Sequence, residues 1–137
     1  MIYQTEIILP CLGKGFHLIT NIIKQNLPSL PETGLVNIFI RHTSAGLTIN
    51  ENFDSTVRSD LSETFDRIVP EGAQLYQHIA EGRDDMPAHV KSSLAGASLN
   101  VPIRNHCLGL GTWQGIFLCE FRNKKQQRTV VITIIGE

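Results

Sequence analysis

The stretch GIFLCEFRNKKQQRTVVITII, residues 115–135, decides the fold. Its two apolar runs have strand length and are rich in Ile, Val, Thr and Phe, and the polar NKKQQ between them predicts a turn, so the segment reads as a terminal β-hairpin. In the first run Glu120 alternates in step with Ile116 and Leu118, which points its carboxylate where apolar side chains point. Arg122 and Arg128 would face each other across such a hairpin, with Glu120 the near acid to offset them.

Upstream, SLNVPI at 98–103 predicts another strand. GLGTWQG at 109–115 lacks the glycine register of a dinucleotide loop and precedes a strand rather than a helix, so it reads as a tight bend carrying Trp113. IYQTEIIL at 2–9, ended by Pro10, and LVNIFI at 35–40 predict strands, as does AGLTINEN at 45–52 by alternation of Leu47 and Ile49 against Thr48 and Asn50. Phe16, Ile19, Ile23 and Leu27 recur at helical spacing before Pro28. A second helix follows Asp54 as N-cap and carries Val57, Leu61, Phe65 and Ile68 before Pro70. A short helix is expected around Leu75 to Ile79, and another opens at Asp85 or Met86 with Pro87 at its first position and stops at Gly96. The order predicts one α+β domain over residues 1–137, with mostly antiparallel strands.

Twelve Lys+Arg against 13 Asp+Glu leave a net charge of −1, without the basic field of a duplex-binding protein. No run approaches the ~18 apolar residues of a membrane span, and the amino terminus lacks the basic start of a leader. Cys11, Cys107 and Cys119 form no CxxC pair or disulfide framework. A cytoplasmic protein with no nucleic-acid or membrane partner is expected.

Polar residues concentrate in two places. RHTSAGLTINEN brings His42, Thr43, Ser44, Asn50 and Glu51 around a strand turn; HIAEGRDDMPAHVKSS brings His78, Asp84, Asp85, His89, Lys91, Ser92 and Ser93 to a loop and helix start. If the two meet, His42, His78 and His89 with nearby carboxylates can form an open Zn²⁺ site. The same inventory suits phosphate, with Lys91, Ser92, Ser93, Thr43 and Ser44 as donors and Asp84 and Asp85 holding Mg²⁺. Each residue also has an ordinary reading: His42 as a strand-end histidine bonded to backbone, His78 as an exposed loop residue, and adjacent aspartates as turn and cap residues.

HTSAGLTINEN at 42–52, DDMPAHVKSSLAGASLNVPI at 84–103 and GTWQGIFLCEFR at 111–122 resemble, in order and across the whole chain, the YjbQ-like family of small proteins often labelled secondary thiamine-phosphate synthases. The resemblance implies a β-sandwich with two to three flanking helices, a homotrimer packed about its threefold axis, and sites at subunit boundaries. It places the polar cluster on His42, Asn50, Glu51, His78, Asp85, His89, Trp113, Gln114 and Glu120. Many members carry asparagine where Asp85 stands, and some carry a histidine two residues before His89, where this chain has Pro87.

The implied activity joins hydroxymethylpyrimidine diphosphate to thiazole phosphate and releases pyrophosphate. Ionising the C–O bond calls for a cationic clamp on the leaving diphosphate. Asp84, Asp85 and Glu51 are candidates for a divalent metal (Mg²⁺ or Zn²⁺), Lys91 and the serines for the phosphates, and Trp113 for stacking on a ring. His89, Asp85 and Glu51 are the expected catalytic groups. A metal-dependent phosphate-ester hydrolase, and a non-catalytic trimer binding a metal or small anion, are the alternatives.

Overall fold

The computed structural model describes residues 1–137, apart from the side chain of Ala73. Strands β1 (Ile2–Leu12), β3 (Thr33–Ile40), β5 (Ser98–Arg104), β6 (Cys107–Leu108) and β8 (Gln126–Gly136) form a large sheet in the order β1-β8-β3-β5-β6; β2 (Gly15–Leu18), β4 (Ala45–Glu51) and β7 (Gln114–Glu120) form a small one in the order β2-β7-β4. Every pairing is antiparallel. Helices α1 (Thr20–Gln25), α2 (Ser55–Ile68) and α3 (Asp85–Ala95) complete an α+β fold.

The two sheets face each other across one core. Val36, Ile38 and Ile40 of β3 and Val130, Ile132 and Ile134 of β8 meet Leu47, Ile116 and Leu118 from the small sheet, and α1 seats Ile19 and Ile23 in the same cluster. The opposite face of the small sheet is covered by helices: Phe16, Phe117, Cys119 and Phe121 pack with Ala88 of α3 and with Leu61 and Phe65 of α2. Sandwiched on both sides, β7 is buried from Gly115 through Glu120, which accounts for its unbroken apolar run.

The terminal hairpin does not form. β7 pairs with β2 and β4, whereas β8 pairs with β1 and β3, so residues 121–125 carry the chain across the core from one sheet to the other. Buried Arg128 and Glu120 close this crossing: Arg128 Nε and Nη2 donate to the two Glu120 carboxylate oxygens, both at 2.6 Å. Two strand-length runs around a polar turn specify strands but not their partners; the buried ion pair fits a crossing.

Three boundaries also move. Phe16 lies in β2, and the helix expected over 16–27 is reduced to Thr20–Gln25, because Gly15 and Phe16 complete the small sheet beside Glu120 and Cys119. Pro10 does not end β1; the strand continues through a register shift between Leu9 and Leu12, permitted because β1 is an edge. Leu75 to Ile79 is no helix, and only a 3₁₀ turn stands at Ala73–Leu75. The second helix begins as expected, with Asp54 Oδ1 accepting from Thr56 N at 2.9 Å. Pro87 stands third in α3 rather than first, where its missing N–H costs no helical bond.

Candidate metal centre

α3 starts at Asp85, so Asp85 and His89 fall four residues apart on one face of its first turns. Asp85 is buried and His89 partly so. The loop between α2 and α3 brings down His78, whose Nε2 lies 2.8 Å from Asp85 Oδ2; His89 Nε2 lies 3.1 Å from the same oxygen. These three donor atoms fall within 4.8 Å of one another.

Two neighbours orient the group. His89 Nδ1 donates to the Thr43 carbonyl at 2.7 Å, which aims Nε2 at the centre. Arg122 Nη1 donates to Asp85 Oδ1 at 2.6 Å, which leaves Oδ2 for the imidazoles. Both ring nitrogens of His89 therefore face acceptors. With Nδ1 carrying the N–H, Nε2 offers the lone pair that a metal ion would take. Two imidazole nitrogens and one carboxylate oxygen form a donor set suited to Zn²⁺ and related ions, with room for further ligands.

Arg122 is the residue that sequence reading missed. Besides Asp85 it binds Asp84 Oδ2 through Nε at 2.9 Å and the Glu81 carbonyl through Nη2 at 3.0 Å. Its expected place opposite Arg128 in a terminal hairpin concealed it; the signal was the DD pair without a visible counter-charge. Asp84 does not cap α3, because its carboxylate also accepts from Asn123 N at 2.8 Å. Burial raises the Asp84 pKa, but the hydrogen bonds from Asn123 and Arg122 outweigh it and hold the carboxyl below the usual range. Arg83 lines a 110 Å³ cavity with His78, Ile79 and Met86.

The other candidates separate into three groups. His42 stays outside the trio: its Nε2 accepts from Thr129 N at 2.9 Å, the strand-end backbone bond, and burial followed by repulsion from Arg128 lowers its pKa. It still borders, with Thr43, His89 and Ser93, an open cleft of about 480 Å³. The expected phosphate donors are mostly engaged. Lys91 is 2% exposed and its ammonium contacts Asp66 Oδ1 at 2.5 Å; Ser92 donates to the Ala45 carbonyl, Ser93 to the His89 carbonyl, and Ser44 Oγ accepts from Arg128. Glu120 is buried against Arg128 and faces no cleft.

The last group lies at the far end of the small sheet. Asn50 and Glu51 pair with Gly115 and Gln114 at the end of β4 remote from Ala45, roughly 20 Å away at ~3.4 Å per residue. Asp84, Asp85 and Glu51 thus do not meet within one chain. Trp113, 55% exposed, stands there edge-to-face with Phe53 at 5.0 Å between centroids, and Gln114 Oε1 accepts from Gly111 N.

A family model described as UPF0047 protein YjbQ-like matches residues 6–137. The UPF0047 protein YjbQ of Salmonella typhimurium is 50% identical over the full length of both chains, and that of Escherichia coli O157:H7 is 44% identical over the same span. A conserved hypothetical protein of Thermus thermophilus superposes with a TM-score of 0.82 at 35% identity, covering 93% of this chain and 97% of that one. An uncharacterised YjbQ/UPF0047 protein of Clostridium acetobutylicum gives 0.81 at 36% identity, over 96% and 99%. With the fold and three ordered motifs in agreement, this chain belongs to the YjbQ-like UPF0047 family.

Proposed function

We propose that this protein is a divalent-metal-dependent enzyme acting on a small phosphorylated substrate. Its proposed reaction joins hydroxymethylpyrimidine diphosphate to thiazole phosphate with release of pyrophosphate. One observation carries the reading: His78 Nε2, His89 Nε2 and Asp85 Oδ2 converge within 4.8 Å, with the remaining polar atoms of Asp85 and His89 already held by Arg122 and Thr43. A bound divalent ion supplies positive charge for the leaving diphosphate. In the reaction the C–O bond to the diphosphate breaks, its electron pair leaves with pyrophosphate, and the thiazole nitrogen bonds the freed methylene carbon. Arg83, beside His78 in the small cavity, is the nearby guanidinium that can contact a phosphate.

We place the enzyme in a homotrimer. The outer face of the large sheet supports this reading, because no helix covers it and it presents Ile2, Ile8, Leu35, Phe39 and Ile135. In that assembly Glu51, Asn50, Trp113 and Gln114 act at the centre only where a neighbouring copy supplies them.

A second reading, hydrolysis of a phosphate ester, is favoured by the burial of Lys91 against Asp66, which withdraws one expected clamp for a diphosphate. Metal content of tag-free protein and pyrophosphate release, with and without Zn²⁺ or Mg²⁺, test the proposal. Stoichiometric metal and metal-dependent release, both lost in His89→Ala while the oligomer persists, are expected. Phosphate-ester turnover without pyrophosphate release selects the hydrolase. Bound metal with no turnover moves the reading to a binding protein, and absence of both overturns the metal centre.

A further inference from the structure

A second cleft, of about 280 Å³, opens between β2 and α2, lined by Lys14, Gly15, Phe16, His17, Arg58, Ser59 and Ser62. None of these residues belongs to the His–Asp–His centre. Ser62 stands four residues after Arg58 and three after Ser59 on α2, so a guanidinium and two hydroxyls border the same cleft. Lys14 and His17 approach from the strand side. His17 is fixed by a 2.5 Å bond from Nε2 to the Gly13 carbonyl.

Two cations, Lys14 and Arg58, line the cleft and, among the described residues, no carboxylate does. Its near carboxylate is Asp66, whose Oδ1 is shared between Lys14 at 2.9 Å and the buried Lys91 at 2.5 Å. Asp60 and Glu63 of α2 lie outside the lining. Lys91, sealed from solvent, pairs with Asp66 from within, and Lys14 and Arg58 are the cations at the mouth. Asp54, the N-cap of α2, spends its Oδ1 on Thr56 N and Oγ1. Arg58 has no carboxylate within ion-pair distance among the described residues.

A guanidinium, an ammonium and hydroxyl donors around one cleft suit a doubly charged oxyanion. We propose that this cleft is an anion site for small phosphate monoesters, separate from the metal centre. It draws on Arg58 and Lys14 for charge and on Ser59 and Ser62 for hydrogen bonds.

The test is titration with inorganic phosphate and with glycerol 3-phosphate, followed by backbone amide NMR and by calorimetry. Saturable shifts centred on Gly15, His17, Ser59 and Ser62 with both ligands are expected. Arg58→Ala should weaken binding by about tenfold or more and Ser62→Ala by a few fold, while His89→Ala leaves it unchanged. Absence of saturation up to tens of millimolar, or binding that survives Arg58→Ala and disappears in His89→Ala, overturns the proposal. The wild-type fold of Arg58→Ala is checked in the same spectra. Because the readout is binding away from His89, its failure leaves the proposed reaction standing, and the converse also holds.

Discussion

The two sheets of this molecule are built from similar residues and meet different fates. The small sheet is enclosed between the large sheet and helices α2 and α3, and Phe117, Leu118, Cys119 and Glu120 of its central strand are at most 1% exposed. The large sheet buries one face only. Along its other face Ile2, Ile135 and Leu35 lie side by side across three strands, and Val131 sits next to Phe39. Charged residues there are few, and Glu6 and Arg41 at the rim pair with each other at 3.2 Å. Strand sequence thus records how apolar the surroundings are, while the burying partner is set elsewhere. For the small sheet the partner is within the chain; for the large sheet it is proposed to be another copy.

The sharpest way to break this comparison is to remove what the small sheet encloses. Phe117→Ala should destabilise the protein by about 3–5 kcal/mol, because the cavity cannot collapse between two packed layers. Leu35→Ala on the bare face should cost much less in dilute solution, and equal losses in chemical denaturation would contradict the layering.

Glu120→Ala should cost about 3–5 kcal/mol by leaving Arg128 charged and unpaired in the core. Glu120→Leu with Arg128→Met should recover much of that loss. Recovery would show that the sheets are joined by shape rather than by this charge pair.

Next in size is association. Phe39→Glu with Ile135→Lys should convert the proposed trimer into a 15.3 kDa chain in sedimentation, with an unchanged far-ultraviolet spectrum. A wild-type chain that is already monomeric at micromolar concentration would sink the assembly.

Acid should act more gently and by sign. Burial, then Arg128, keeps the His42 pKa below 6.5, so the unfolded chain takes up that proton first and stability falls as pH drops below 6.5. Burial raises the Asp66 pKa, but the Lys91 and Lys14 hydrogen bonds outweigh it; Asp66 and Asp84 both end below 3.8, so their contribution is complete above that range and lost as pH falls through the folded values. A His42→Asn variant should flatten the melting profile between pH 7 and 5 and leave the steeper acid limb in place.

The smallest effect is chemical. Burial pushes the Cys119 thiol up to about 12, whereas Cys11 and Cys107 are exposed. Two thiols should react with a disulfide reagent in the native protein and the third only on unfolding.

Local readings survived where one element decided them. Asp54 caps α2 because its side chain needs only Thr56 two residues on, and Asp85 and His89 share a face because the helix repeat places them there. Readings that required a partner failed or were incomplete. Phe16 and Ile19 fit a helical period, yet Phe16 pairs across β7 while Ile19 enters the core at the start of α1. Lys91 reads as a free cation until Asp66, 25 residues away, is packed against it. Arg122 reads as a partner of Arg128 across a hairpin until the crossing between sheets carries it to Asp84 and Asp85, more than 35 residues away.

By itself the sequence determined the long strands, helices α2 and α3, the antiparallel α+β class and the family, because these rest on periodicity, capping and motif order along the chain. Only the tertiary structure decided that β7 and β8 part into different sheets, that His78 joins Asp85 and His89 while His42 bonds to backbone, and that the large sheet keeps one face bare. The physical reason is that burial and hydrogen bonding are satisfied by whichever group arrives in space, and a residue's own neighbours in sequence do not specify that group.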